Sequence, residues 1–186
     1  MSKAADVRGV AELIRLDGPV DYLFFWGPRP AGSQARKGCL SQWWPGDFSV
    51  DGVVYRTAEH YMMAAKARLF GDGEMAAKIV AAGHPGEARA LGRQVRGFDE
   101  DAWVAARSGV VVAGNLAKFG QHPAARDFLL RTGSRVLVEA SPLDRIWGIG
   151  LAEDDSRAAR PADWRGLNLL GFALMEVRQA LAAAPR

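Results

Sequence analysis

The segment Thr57–Ala67, TAEHYMMAAKA, places one acid and one amine in an otherwise apolar stretch. Thr57 is a good helix N-cap, and the pattern predicts a helix that runs from there to about residue 70. Residues seven apart complete almost two turns, so Glu59 and Lys66 point the same way, with two methionines between them. Their Cα atoms are then about 10 Å apart, which suits two long side chains that close on one small ligand.

The same pair also has a purely structural interpretation. An acid in the first turn of a helix is favoured by the helix dipole whether or not it takes part in a reaction, and this alone explains the position of Glu59. A lysine on a helix is usually solvated, with its stem lying on apolar surface, and this alone explains Lys66. The helix pattern alone therefore leaves both interpretations open, and the remainder of the chain has to distinguish them.

Length and residue types narrow the class of protein. A chain of 186 residues can bury a substantial core and fits a single domain. Its single cysteine, Cys39, excludes an intramolecular disulfide and indicates a reducing compartment. The three histidines, His60, His84 and His122, lie far apart in the sequence and form no metal-binding spacing. No metal site is predicted.

Charge and hydropathy point to a cytoplasmic protein with a small ligand. The net charge of +3 comes from 24 basic and 21 acidic residues without a basic run, so non-specific nucleic-acid binding is not indicated. One or two lysines or arginines suffice for a phosphate group. There is no secretory pattern in the first thirty residues and no apolar run of about 20 residues, so no membrane association is predicted. No obligate protein partner is indicated.

Local patterns predict the order of the elements. An aromatic strand over 20–26 precedes Gly27-Pro28, and Asp51-Gly52 predicts the tight turn of a hairpin that leads into the first long helix. Further helices are predicted over 74–82, 85–92, 98–119, 123–130 and 168–181. Strands over 135–140 and 145–150 are expected to share one sheet. The segment 29–38 is predicted to be a loop near a site entrance, and 152–165 part of a lid.

Tryptophans and one aspartate are candidates for ligand contacts. Three of the six tryptophans, Trp26, Trp44 and Trp147, stand beside glycine or proline, and Trp43 adjoins Trp44. Indole faces next to small residues suit the stacking of a planar heterocycle. Each single tryptophan is better explained as a core or loop filler, and it is their clustering that favours a ligand. Asp144 lies at the end of a predicted turn, where it is either a functional carboxylate or an ordinary Asx-turn residue.

An ordered series of segments resembles the YbiA-like, or NADAR, superfamily. These segments are FWG at 25–27, LSQWW at 40–44, YRTAEHYM at 55–62, KARLF at 66–70, GNLAKF at 114–119 and EASPLDRIWGIG at 139–150. The resemblance implies an α+β fold, a mainly helical single domain around a small β-sheet. We expect that domain to span residues 21–182, after an N-terminal lead-in over residues 1–20.

The resemblance also implies a reaction. It implies an N-glycosidase that cleaves the bond between ribose and an amine-bearing heterocycle, such as a riboflavin-pathway pyrimidine or ADP-ribosylated guanine in nucleic acid. No cofactor is implied. The family's catalytic positions correspond to Glu59, Lys66 and Asp144, with its tryptophan at Trp147. The residues expected to bind substrate are Trp26, Gly27, Ser41, Gln42, Trp43, Met62, Lys118, Phe119, Trp147 and Gly148. Gln42 departs from many relatives, which have Asn there.

These residues support a mechanistic hypothesis and one alternative. Glu59 would transfer protons as general acid and base, and Asp144 would hold the ribose hydroxyls. Lys66 would either attack the ribose C1′ to form a Schiff base or remain a cation that binds phosphate. The alternative function is a non-catalytic module that binds NAD or ADP-ribose, with Lys118 or Arg68 contacting phosphate.

Overall fold

A computed structural model describes residues 3–27 and 35–183. Its helices are α1 (Val10–Ile14), α2 (Ala35–Gly38), α3 (Ala58–Leu69), α4 (Gly73–Ala81), α5 (Pro85–Gly92), α6 (Glu100–Gln121), α7 (Pro123–Arg131) and α8 (Leu169–Ala183). Its strands are β1 (Tyr22–Phe25), β2 (Phe48–Val50), β3 (Val53–Tyr55) and β4 (Val136–Glu139), and two short 3-10 turns cover Lys3–Asp6 and Pro161–Asp163. The predicted class, a mainly helical α+β fold, is confirmed.

The described residues form two compact units. The first unit consists of the residues before Gln42 together with those after Pro123, and the second unit is Gln42–Pro123. The β-structure is divided accordingly into two sheets of two strands each, one within each unit.

The first unit is built on a parallel pair of strands. β1 pairs with β4 in a register that sets Tyr22 opposite Val136 and Phe25 opposite Glu139. Leu23 and Phe25 point to the buried side, as the alternation of a half-buried strand requires. Helix α8 packs on β4 and contributes a run of buried residues to this core. The predicted strands over 20–26 and 135–140 are therefore confirmed.

The predicted strand over 145–150 is wrong, because the edge of β4 that it would occupy is taken by a side chain. The Asn168 amide donates from Nδ2 to the carbonyl of Leu137 at 2.9 Å and accepts at Oδ1 from the N–H of Glu139 at 3.0 Å. It thereby replaces the hydrogen bonds of a neighbouring strand. The segment itself is a series of bends, and its Ile149 N–H donates to the carbonyl of Glu139 at 3.0 Å.

The second unit surrounds helix α3, which contacts α4, α5 and α6. The Thr57 side chain accepts a hydrogen bond from the His60 N–H, so the predicted N-cap is confirmed. The hairpin β2–β3 that precedes α3 is antiparallel, and its turn has Asp51 at φ 50° and Gly52 at φ 77°. These two positive φ values are those that the predicted two-residue turn requires.

Helix α6 is continuous over 22 residues, including Gly114. The glycine has a packing role, because a Cβ at that position would overlap the ring of Tyr61 on α3. The other helix predictions agree with the structure to within two residues at either end.

Two predicted loops have different outcomes. Most of the loop predicted over 29–38 lies outside the described residues, and its last four residues form α2. The segment 152–165 contains the 3-10 turn Pro161–Asp163, and the Trp164 indole N–H donates to the carbonyl of Ala158 at 2.8 Å. Its function as a lid stays a prediction. Within 3–27 and 35–183, the helices are all too short or too polar to cross a membrane.

Candidate active site

The acid of the predicted pair lies in the first turn of α3, inside the second unit. Glu59 is 5% exposed, and its backbone N–H donates to the carbonyl of Gln42 at 3.0 Å. The methionines of the same helix face are also buried, at 3% for Met62 and 8% for Met63. Glu59, Met62 and Met63 therefore lie on one buried face of α3, as the sequence predicts, with the carboxyl group at the N-terminal end of that face.

The amine lies on the same helix face, almost two turns later. Lys66 Nζ donates to the carbonyl of Gly92 at 3.0 Å and lies 4.0 Å from the centre of the Phe98 ring. Partial burial lowers the pKa of the Lys66 amine, and the Glu100 carboxylate opposes this effect. A larger fraction of the amine is therefore neutral than for a solvated lysine, which is what a nucleophilic lysine needs.

A buried histidine stabilises the start of the helix. The His60 ring is fully buried, with Nδ1 2.8 Å from the Thr57 hydroxyl and Nε2 3.1 Å from the carbonyl of Ala82. The carbonyl can only accept, so Nε2 carries the proton and Nδ1 accepts from the hydroxyl. Burial lowers the pKa of His60. Both ring nitrogens are occupied by structural hydrogen bonds, so His60 supports the position of α3.

The chain that precedes β2 places further predicted substrate-binding residues in this unit. Trp43 packs edge-on against His84, with the ring centres 5.6 Å apart. Trp44 lies near Lys118, whose Nζ is 5.5 Å from the indole and 4.9 Å from the Phe119 ring. Lys118 and Phe119 are both 0% exposed. A fully buried lysine between aromatic rings is unusual for a residue type that is normally solvated.

Asn115 is a polar residue in this region that the sequence did not predict to be functional. Its side chain is fully buried on α6, and Nδ2 donates to Gln42 Oε1 and to the carbonyl of Val111, each at 2.9 Å. It stands three residues before Lys118 on the same helix face. No local sequence signal marks Asn115 as functional, because what identifies it is its contact with Gln42, 73 residues earlier.

In the first unit, the third predicted catalytic residue organises a turn. One carboxylate oxygen of Asp144 accepts from the N–H groups of Ile146 at 2.9 Å and Trp147 at 2.8 Å. The N–H of Gly150 donates a hydrogen bond to the Asp144 carbonyl at 3.1 Å. This is the Asx-turn geometry considered for Asp144, and it fixes the half-buried Trp147 relative to the aspartate. Gly148, within the same turn, is buried.

The remaining predicted residues also belong to the first unit. Trp26 and Gly27 line an open surface cleft that is also lined by Lys37 and Glu153, with the ammonium and carboxylate 3.5 Å apart. Trp26 is 43% exposed there, so its ring is available for stacking. Ser41 is buried, at 5%. In the described part of the chain, no three His, Cys, Asp or Glu side chains gather in a way that could hold a metal ion.

The chain is similar to known proteins over most of its length. The family model for the NADAR domain matches residues 24–182. The chain is 40% identical over 163 residues to an N-glycosidase of Acanthamoeba polyphaga mimivirus, which covers 85% of this chain and 95% of that protein. It is 36% identical over 145 residues to an N-glycosidase of Nostoc punctiforme, covering 77% and 85% respectively.

A solved structure gives the same result. The chain matches the NMR structure of the Escherichia coli protein YbiA with a TM-score of 0.66 and 27% identity, over 90% of each chain. In sequence it is 33% identical over 139 residues to the N-glycosidase YbiA of Escherichia coli, covering 75% of this chain and 77% of that protein. The resemblance found in the sequence is confirmed: the chain belongs to the NADAR family and is an N-glycosidase.

Proposed function

We propose that this enzyme hydrolyses the bond between C1′ of a ribosyl group and the nitrogen of an amine-bearing heterocycle. The substrate is a riboflavin-pathway pyrimidine carrying a phosphoribosyl group, or guanine that carries ADP-ribose. One observation carries the proposal. In an N-glycosidase, the partly buried Lys66 amine lies on the same dry face of α3 as the buried Glu59 carboxyl group.

The surroundings of Lys66 favour a nucleophile over a phosphate-binding cation. Burial lowers the pKa of the amine, which favours its neutral form. The Gly92 carbonyl accepts one N–H and leaves the nitrogen lone pair available. The Phe98 ring lies 4.0 Å from the amine, so an aromatic side chain rather than a polar group occupies this side of it.

A Schiff-base route uses these two residues and one water. The Glu59 carboxyl group donates a proton to the ring oxygen as the bond from C1′ to that oxygen breaks. Lys66 Nζ adds to C1′, and the heterocyclic amine leaves with a proton. Water then adds to C1′ and gives a proton to Glu59, the Lys66 amine departs to leave a C1′ aldehyde, and the freed ring hydroxyl closes on that aldehyde to restore the ribose ring. The net change replaces one C1′–N bond with one C1′–O bond and consumes one water.

Two further assignments stay predictions based on the family motifs. Asp144 binds ribose hydroxyls, and Trp43 and Trp147 each offer an indole face for stacking on a heterocycle. The fixed turn at Asp144 supports the first, since one carboxylate oxygen is held in place by two backbone N–H groups. The half-buried state of both indoles supports the second, because each ring keeps accessible surface.

The experiment is to incubate the protein with a phosphoribosylaminopyrimidine and, in parallel, with ADP-ribosylated guanosine, and to measure the released base by mass spectrometry. We expect base release from at least one substrate, and a loss of about 100-fold or more in Lys66→Arg because a guanidinium is not a nucleophile. Lys78→Arg is the matched control, since Lys78 is an exposed lysine on α4. Near-normal turnover by Lys66→Arg would exclude the Schiff base, and no release from either substrate would contradict the substrate class.

A further inference from the structure

The amides of Gln42 and Asn115 form a pair that has unused hydrogen-bonding capacity. Asn115 Nδ2 donates one hydrogen to the Val111 carbonyl and the other to Gln42 Oε1. Both of its hydrogens are therefore used, and this fixes which atom of each amide is nitrogen and which is oxygen. In the part of the chain that the structure describes, Asn115 Oδ1 and Gln42 Nε2 have no hydrogen-bond partner.

Both open groups are buried. Asn115 is 0% exposed and Gln42 is 7% exposed. A buried donor or acceptor that has no partner costs free energy, so such groups in native proteins are normally satisfied by another group, a water or a ligand. The open acceptor, Asn115 Oδ1, and the open donor, Gln42 Nε2, belong to two amides that are joined by a 2.9 Å hydrogen bond. The two open atoms are therefore at most about 7.5 Å apart.

The pair also lies next to the groups proposed to carry the chemistry. The backbone carbonyl of Gln42 accepts from the N–H of Glu59, so the residue that bears the open donor is tied to the start of α3. Trp43 follows directly and is half-buried. Gln42 Nε2 is itself buried, so a planar ring that stacks on Trp43 lies beside the residue that carries the open donor rather than against a solvent-exposed amide.

We propose that the Gln42–Asn115 amide pair recognises the lactam edge of the heterocycle, with Gln42 Nε2 donating to the lactam C=O and Asn115 Oδ1 accepting from the adjacent ring N–H. The inference rests on the proposed function and names the feature that selects its substrates. Guanine and a pyrimidinone both carry this edge, so one amide pair accounts for both candidate substrates.

Binding without turnover tests the inference. Isothermal titration calorimetry compares guanosine with 1-methylguanosine and uridine with 3-methyluridine, because each methyl group replaces the lactam N–H. We expect at least one parent nucleoside to bind about 10-fold or more tightly than its methylated form. The purine and pyrimidine arms show which ring size is preferred.

A variant pair assigns the effect to the amides. Gln42→Glu keeps the acceptor for Asn115 Nδ2 but replaces the open donor with a carboxylate oxygen, so it should remove the difference between parent and methylated nucleosides. Gln94→Glu makes the same charge change on an exposed glutamine of the second unit and should leave the difference unchanged.

Two outcomes overturn the inference. Equal binding of parent and methylated nucleosides by the unchanged protein would mean that water, rather than a lactam, satisfies the amides. Discrimination that persists in Gln42→Glu would place the recognition elsewhere. Base release without discrimination overturns only this inference, whereas discrimination without base release overturns only the proposed function, so the two failures are distinguishable.

Discussion

Two carboxylic residues assigned to catalysis, Glu59 and Asp144, are positioned by different means. Glu59 is placed by the backbone of α3, which begins at the Thr57 cap and whose Glu59 N–H donates to the carbonyl of Gln42. At Asp144 the side chain itself makes the turn, through two hydrogen bonds to backbone N–H groups. A substitution at Glu59 therefore changes the chemistry on an intact backbone, whereas a substitution at Asp144 changes chemistry and local fold together.

The two regions also differ in their exposure to solvent. On α3 the acid is 5% exposed and the nearby lysine is buried enough for its pKa to fall. Around Asp144 the chain is open, with Leu143 86% and Ile146 44% exposed. Proton transfer and nucleophilic attack benefit from exclusion of water, so we assign those steps to α3 and a binding role to Asp144.

The largest effect is expected at Glu59. Glu59→Gln preserves the shape of the side chain and removes the transferable proton, so kcat should fall by about 100- to 10,000-fold. The thermal unfolding midpoint should remain close to that of the unchanged protein. Glu176→Gln, an exposed acid on α8, is the control. A large loss of thermal stability in Glu59→Gln would show that the comparison with Asp144 is wrong.

At Asp144 the expected effect is on stability as well as activity. Asp144→Ala removes the acceptor for two N–H groups and should lower the free energy of unfolding by about 2 kcal/mol, at about 1 kcal/mol per hydrogen bond. Asp144→Asn retains an acceptor oxygen and should keep most of that stability. Urea unfolding of both variants measures this. Equal stability of the two variants would contradict the structural role of the side chain.

A smaller effect is expected where α6 approaches α3. A methyl group at Gly114 would overlap Tyr61, and overpacking costs about 1 to 3 kcal/mol. The gain in helix propensity offsets about 0.5 to 1 kcal/mol. Gly114→Ala should therefore destabilise the protein by about 1 kcal/mol in urea unfolding, and Gly109→Ala, in open space on the same helix, should not. Stabilisation by Gly114→Ala would show that α3 is held less tightly than proposed.

The smallest effect concerns pH and the start of α3. Burial lowers the pKa of His60 in the folded protein, so the unfolded chain binds the proton more readily. The contribution of the neutral His60 ring to the free energy of unfolding is thus complete above about pH 6.5, the pKa of a histidine in the unfolded chain. It is lost as the pH falls below that value, by up to about 1 kcal/mol. The free energy of unfolding of the protein and of His60→Gln, measured from pH 7.5 to 5.5, isolates this contribution. Parallel pH profiles for the two proteins would rule it out.

The sequence predicts the α3 region well because its signals are local. The Thr57 cap, the phase of Glu59 and Lys66, and the Asp51-Gly52 turn all depend on residues within a few positions of each other. The structure adds what no local pattern contains, namely that Lys66 contacts a carbonyl 26 residues away.

The predictions that failed or were incomplete depend on distant partners. The segment 145–150 has the composition of a strand, but the edge of β4 is occupied by the side chain of Asn168, 31 residues beyond the Leu137 carbonyl that it contacts. β1 pairs with β4 across more than half the chain. The Asn115 amide is identified only once its contact with Gln42, 73 residues earlier, is known.

Chemical trapping shows whether Lys66 on α3 is the nucleophile. The protein is incubated with the substrate that it cleaves, reduced with sodium borohydride and digested, and the peptides are measured by mass spectrometry. We expect a ribosyl adduct on the peptide that contains Lys66, and no adduct in Lys66→Arg. Base release at a normal rate with Lys66 unmodified under these conditions would contradict this expectation.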